Sequence, residues 1–132
     1  MHHKTVHTKN ILIIYNEPTI LTTDSIDPNG LTLLLGLEGG MNLSFLLRNN
    51  AVEYLVSSNW KNDFPESEYN ASWEWISNEI NGNVYAILED IEKSIISRKD
   101  IDQGIKIISN ADVSSIIDKN DVILFDLNKT NI

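Results

Sequence analysis

Apolar residues in this chain come in short blocks separated by asparagine, glycine and acidic residues, and the spacing inside each block predicts its element. Ile11-Leu12-Ile13-Ile14-Tyr15 is a continuous β-branched and aromatic run closed by Asn16 and Pro18, the pattern of a buried strand. Asp27-Pro28-Asn29-Gly30 reads as a turn. From Leu31 to Val56 three apolar stretches follow, broken first by Glu38-Gly39-Gly40 and then by Arg48-Asn49-Asn50. Breaks this short predict a meander of antiparallel strands, with helix an open alternative for Leu43 to Leu47.

The texture changes at Ser57. Asp63-Phe64-Pro65-Glu66 places a capping residue, an early proline and a glutamate three positions after the cap, which predicts a helix from about Pro65 to Ile80. Tyr69, Trp73, Ile76 and Ile80 recur at helical spacing and form its inward stripe, and Asn81-Gly82-Asn83 ends it. Val84, Leu88, Ile91 and Ile95 repeat the spacing and predict a second helix to about Arg98, with strand open for Val84 to Leu88. Further on, Ile105 to Ile108 reads as a strand, Asp112 to Ile117 as a short helix and Val122 to Phe125 as a last strand. The expected fold class is therefore α+β: a mainly antiparallel sheet with two or three helices packed on it.

At 132 residues a chain removes roughly two-thirds of its unfolded surface from water on folding, enough for one core. No repeat and no linker divides it, so residues 1–9 are expected to be a disordered leader and 10–132 a single domain. The apolar fraction of 42% against 22% charged residues is that of a globular chain and not of a disordered one. With no cysteine, disulfide frameworks, thiolate metal sites and thiol nucleophiles are excluded, and a reducing, cytoplasmic setting is expected. The longest apolar run, near Leu31 to Leu37, is far shorter than the roughly 20 residues that cross a bilayer, and no membrane partner is expected.

The net charge of −9 is unevenly placed. Between Lys61 and Lys93 stand Asp63, Glu66, Glu68, Glu74, Glu79, Glu89, Asp90 and Glu92, with no lysine or arginine among them. The same segment carries Phe64, Tyr69, Trp73, Trp75 and Tyr85, half of the chain's aromatic residues. At about 100° per residue, Trp75 leaves the Tyr69-Trp73-Ile76-Ile80 stripe and shares its side with Glu68, Ser72 and Glu79. Tryptophan among carboxylates suits an interface, because the ring supplies desolvated contact area while the charges steer a basic partner. Trp75 packed on a neighbouring loop, with the glutamates merely solvating an outer face, is the equally weighted alternative.

Catalytic chemistry has few carriers. Histidine occurs only at His2, His3 and His7, so serine and cysteine triads and histidine zinc motifs have no internal base or ligand. The pairs Glu89/Asp90, Asp100/Asp102 and Asp118/Asp121 lack the spacing of a calcium loop, and capping or turn roles suit them better. Gly36-Leu37-Glu38-Gly39-Gly40 lacks the Lys-Ser/Thr of a phosphate loop and reads as a hairpin turn. Scattered basic residues disfavour direct nucleic-acid binding, whereas a carboxylate-lined face can mimic nucleic acid. No cofactor, metal or catalytic residue is expected.

Trp60-Lys61-Asn62-Asp63-Phe64 followed by Tyr69-Asn70-Ala71-Ser72-Trp73, with the small size and acidity of the chain, resembles immunity proteins of bacterial toxin systems, including those of contact-dependent growth inhibition. That resemblance implies a stoichiometric inhibitor that covers a cognate toxin, commonly a nuclease, with no catalytic residue of its own. Trp75, Glu68, Glu74 and Glu79, and more weakly Asp63 and Glu66, are the expected contacts with the basic partner. A phage-encoded inhibitor of a host defence nuclease, of anti-CRISPR type, uses the same physics, and a small carboxylate or metal-dependent enzyme is the third alternative.

Overall fold

The computed structural model describes residues 9–19, 21–22, 40–63 and 70–126. Among them are seven strands, β1 (Asn10–Tyr15), β2 (Leu21–Thr22), β3 (Asn42–Leu47), β4 (Asn70–Ala71), β5 (Val84–Ile87), β6 (Ile105–Ile108) and β7 (Val122–Phe125). Four α-helices, α1 (Ser57–Asp63), α2 (Trp73–Glu79), α3 (Leu88–Lys93) and α4 (Val113–Asp118), are joined by 3-10 turns at Asn49–Leu55, Arg98–Asp100 and Asn110–Asp112.

Five strands form one sheet in the order β6-β5-β3-β1-β7, and every neighbouring pair in it is parallel. This overturns the expected mainly antiparallel α+β sheet: the architecture is α/β, and antiparallel pairing among the described residues is confined to the two-residue strands β2 and β4. Burial supplies the reason. Leu12, Ile13, Ile14 and Tyr15 are all closed to solvent, as are Phe45, Leu46 and Leu47. Strands buried on both faces read as continuous apolar runs, and such runs belong to parallel sheets covered by helices on either side.

Alternate residues of each strand feed two cores. On one face Ile13, Tyr15, Leu43, Phe45, Leu47, Val84 and Ala86 pack with Val52, Leu55, Trp73, Ile76 and Ile91. The centre of this core is aromatic: Phe45 meets Trp73 edge-on at 5.2 Å between centroids and lies stacked with Tyr15 at 6.2 Å. On the other face Leu12, Ile14, Leu46 and Ile87 pack with Ile116, Val113 and Ile117 of α4. The connections from β3 to β5 and from β5 to β6 thus run over the first face. The connection from β6 to β7 recrosses on the second, as right-handed crossovers travelling in opposite directions must.

Several elements depart from the expected ones. Ala51 to Leu55, read as the end of a meander, is a 3-10 turn whose Ala51, Val52, Tyr54 and Leu55 enter the first core. Of the long helix expected over Pro65–Ile80, the described residues form the strand β4 and then α2, a break at Ser72 that the pattern did not show; residues 64–69 lie outside the described ones. Ser72 starts that helix from an extended conformation, its hydroxyl accepting from the Trp75 N–H at 3.1 Å. The second predicted helix, Val84–Arg98, is a strand followed by α3. Its supposed stripe fails at Ile95, which is 96% exposed, while Val84, Ala86 and Ile87 are buried on both faces of the sheet. Strands β1, β3, β6 and β7 and helix α4 lie where the pattern placed them. The Asp27–Gly30 turn and the Leu31–Gly39 stretch lie outside the described residues. No helix among the described residues is long and apolar enough to cross a membrane.

Gly82, in the turn into β5, lies against the first residues of β3: a Cβ there would overlap the Leu43 carbonyl and crowd the Ser44 hydroxyl. Backbone is the obstacle and cannot rotate aside. Gly82→Ala should therefore destabilise the fold by about 1–3 kcal/mol, the usual range for overpacking. Urea unfolding of the two proteins measures this; equal midpoints would show that the turn yields.

Candidate functional site

In a parallel sheet all strands point the same way, so their carboxyl ends share one edge. Here that edge is polar and tied together. Asn16 follows β1, Arg48 and Asn49 follow β3, Glu89 and Asp90 open α3 directly after β5, and Asp126 follows β7. Asn16 donates from its backbone N–H to Asp126 Oδ1 at 3.0 Å and from Nδ2 to both Asp126 oxygens, at 3.2 and 2.9 Å. Its Oδ1 accepts from Arg48 Nε at 2.6 Å and from Asn49 Nδ2 at 2.9 Å. The Asn49 backbone N–H donates to Asp90 Oδ2 at 2.8 Å. The guanidinium of Arg48 lies 5.7 Å from the centroid of the Phe125 ring.

Asn49 and Asp126 both adopt left-handed backbone, φ 53° and 46°, and they are the only non-glycine residues among those described to do so. Each such residue is held against an intrinsic preference of order 1 kcal/mol. Beside them, the Asn49–Leu55 turn and α3 border an open cleft of about 340 Å³ lined by Asn49, Asn50, Glu53, Asp90, Lys93, Ser94 and Ile95.

The residues expected to contact a partner are distributed differently. Trp75 stands on α2, 40% exposed, while Trp73 and Ile76 of the same helix are buried. Glu79 lies one turn beyond Trp75 and is exposed, and Glu74 is half-buried at the start of the helix. Neither carboxylate meets a side-chain partner among the described residues. Asp63 ends α1 and accepts the Tyr54 hydroxyl at 2.7 Å. Glu66 and Glu68 lie outside the described residues.

Of the remaining acids of the lysine- and arginine-free stretch, Glu92 is exposed and the other two accept from backbone N–H groups. Glu89 accepts from the Asn110 N–H at 3.1 Å, and Asp90 from Asn49 as above. Helix α2 ends at the amino edge of the sheet, beside the start of β3, whereas Glu89 and Asp90 stand at the carboxyl edge, a β5 length away; four strand residues span about 13 Å. Of the other acid pairs, Asp102 accepts from the Ser57 hydroxyl and Asp121 from the Asn10 backbone N–H. No group of three or more potential metal ligands occurs among the described residues.

Sequence reasoning passed over Asn16, Arg48, Asn49 and Asp126 because each looked like punctuation after an apolar run. A readable signal was there: three such runs, ending at Tyr15, Leu47 and Phe125, are each followed at once by asparagine, arginine or aspartate. Those positions coincide in space once the strands are taken as parallel.

No family model matches the sequence, and no curated protein matches it. Among solved structures, the chain is similar to the crystal structure of the ychN protein from E. coli, with a TM-score of 0.62 and 17% sequence identity over 89% of this chain and 99% of that one. At that identity the likeness bears on the α/β fold alone.

Burial, then the hydrogen bond to Asp63 and the charges of Asp63 and Glu53, push the Tyr54 phenol from 10.0 up to about 12. A raised folded-state value means that Tyr54 stabilises the fold fully below pH 10 and that this contribution disappears between pH 10 and 12. Tyr54→Phe should be less stable by about 1 kcal/mol at neutral pH, from the lost hydrogen bond, and should decline less steeply than the wild type across that alkaline window. Urea titrations from neutral pH to pH 12 decide it; parallel curves for the two proteins would refute the assignment.

Proposed function

We propose that the chain is a non-catalytic binding protein that lays α2 on a basic protein partner, and that the partner is a bacterial toxin domain, of nuclease type, which the chain neutralises by stoichiometric binding. The observation that carries this reading is Trp75: a tryptophan 40% exposed, with Glu79 one turn on and Glu74 beside it, neither acid neutralised by a side chain among the described residues. An indole in that position loses little on leaving water and offers a large rigid contact, while flanking carboxylates accelerate encounter with cations and reject anions. Asp63 already serves Tyr54 and joins the contact only at its rim. A chain of net charge −9 without cysteine suits the reducing cytoplasm, where such an inhibitor would protect its own cell.

The test begins with capture of the partner on immobilised wild-type protein from a lysate of the source cells, followed by binding kinetics on the purified pair. Trp75→Ala should raise Kd at least tenfold, a hot-spot loss of about 1.4 kcal/mol or more. Glu74→Lys combined with Glu79→Lys should slow association at least tenfold and flatten its dependence on salt. Urea midpoints should remain at the wild-type value for both variants. Wild-type affinity in folded Trp75→Ala together with a wild-type association rate in the folded double variant would overturn the placement of the interface on α2.

A further inference from the structure

Arg48 is held from three sides and paired with no acid among the described residues. Its backbone N–H donates to the Tyr15 carbonyl at 3.1 Å, its Nε donates to Asn16 Oδ1 at 2.6 Å, and its guanidinium faces the ring of Phe125. The two terminal amino groups of the guanidinium have no partner among the described residues. Nineteen carboxylates against ten lysines and arginines make that state unusual, since a guanidinium in such a chain has acids to spare and forms its strongest contacts with them.

The pairing is prevented by an interposed amide. Asp126 is the acid joined to Arg48 through Asn16, and both its oxygens are taken by Asn16 Nδ2, one of them also by the Asn16 backbone N–H. Asn16 therefore cannot flip: a reversed amide would set its oxygen against the carboxylate and its NH2 group against Arg48 and Asn49. So fixed, Asn16 Oδ1 anchors Arg48 by Nε and leaves the terminal fork unused. The ring of Phe125, 53% exposed, supports the guanidinium from one face and offers an apolar flank beside it.

Position adds a third argument. Successive strands proceed from β1 through β3 and β5 to β6 in one direction, and the chain then returns to place β7 on the far side of β1. Ligands of open α/β sheets bind outside the carboxyl ends of the strands, where the direction of winding reverses. Asn16, Phe125 and Asp126 come from the ends of β1 and β7, the pair at that reversal, and Arg48 from the end of β3, the other neighbour of β1.

We propose that Arg48 anchors a binding site for a small oxyanion, a carboxylate or a phosphate, gripped end-on by its two terminal amino groups, with Asn16 as the positioning residue. The site is separate from the α2 face and does not depend on the partner reading above. Planar bidentate contact is the chemistry a guanidinium fork provides and an ammonium does not. The acidic balance of the chain opposes anions at long range, so affinity must come from this short-range geometry.

The experiment is a 15N NMR titration of the full chain with inorganic phosphate and, separately, with acetate, following the Arg48 Nε–H and the Asn49 amide. A saturable shift of those resonances with phosphate assigns a phosphate ligand, and with acetate a carboxylate. Arg48→Lys, which keeps the charge and loses the fork, should weaken that binding at least tenfold. Asn16→Ala should weaken it several-fold and move the Arg48 Nε–H resonance in the unliganded protein, a change that a purely structural role for Asn16 elsewhere would not produce. Absence of a saturable shift with either anion, or equal affinity in the wild type and Arg48→Lys, would overturn the proposal.

Discussion

Everything in this molecule depends on the removal of β1 and β3 from water on both faces. Leu12 to Tyr15 and Phe45 to Leu47 are closed to solvent without a break, so neither face of the sheet can be left bare. Parallel strands joined by crossovers deliver cover to both faces, and each crossover must carry the chain back to the amino edge before the next strand begins. Two consequences are forced. Apolar side chains from the connections fill two cores, and the residue that follows each strand arrives at a single edge, whatever its distance in sequence. Asn16 and Asp126 are separated by 110 positions and share three hydrogen bonds for that reason.

The same geometry decides what becomes of the acidic stretch. A contiguous run of carboxylates in sequence suggests one anionic surface, yet β5 stands between α2, with Glu74 and Glu79, and α3, with Glu89 and Asp90, and sets these pairs apart. Glu89 and Asp90 then meet backbone N–H groups of Asn110 and Asn49, where ionised oxygens make stronger hydrogen bonds than neutral ones, and they help fix the turns that follow β3 and β6. Glu74 and Glu79 stay on α2 with Trp75. The outward anionic surface among the described residues is thus narrower than the charge distribution along the chain implies.

Legibility followed the period of each segment. Where a run was short, uniformly apolar and bounded by polar residues, as at Ile11–Tyr15 and Val122–Phe125, the strand was evident. Strand direction was not, because an Asn-Asn or Gly-Gly break looks the same whether it opens a hairpin or a crossover, and only burial of both faces separates the two. Val84 to Ile95 misled for a related reason: apolar residues at helical spacing straddle the end of a four-residue strand and the start of a six-residue helix, and Ile95 belongs to neither core. That Trp75 leaves the face of the buried Trp73 could be read from angular position alone, since the helix that carries both is regular there, whereas its exposure could not, because a neighbouring element could have covered the ring. The cluster of Asn16, Arg48, Asn49 and Asp126 could not, as its members are neighbours only through the parallel register.

Asparagine takes a particular role in such a chain. Sixteen asparagines add no charge to a molecule already at −9, and each amide both donates and accepts, so it can couple an acid to a base or to a second amide without neutralising either. At the amino edge Asn10 receives Asn42 Nδ2 at 2.8 Å while its own N–H donates to Asp121 at 2.8 Å, joining β1, β3 and the entrance of β7. At the carboxyl edge Asn16 performs the same junction between Asp126 and Arg48. A direct Arg48–Asp126 ion pair would have been an ordinary solution to the same packing problem, of small net value at an exposed edge. The interposed amide also holds the ends of three strands, and it leaves the two terminal amino groups of the guanidinium without a partner among the described residues, a contact capacity that the fold itself does not use.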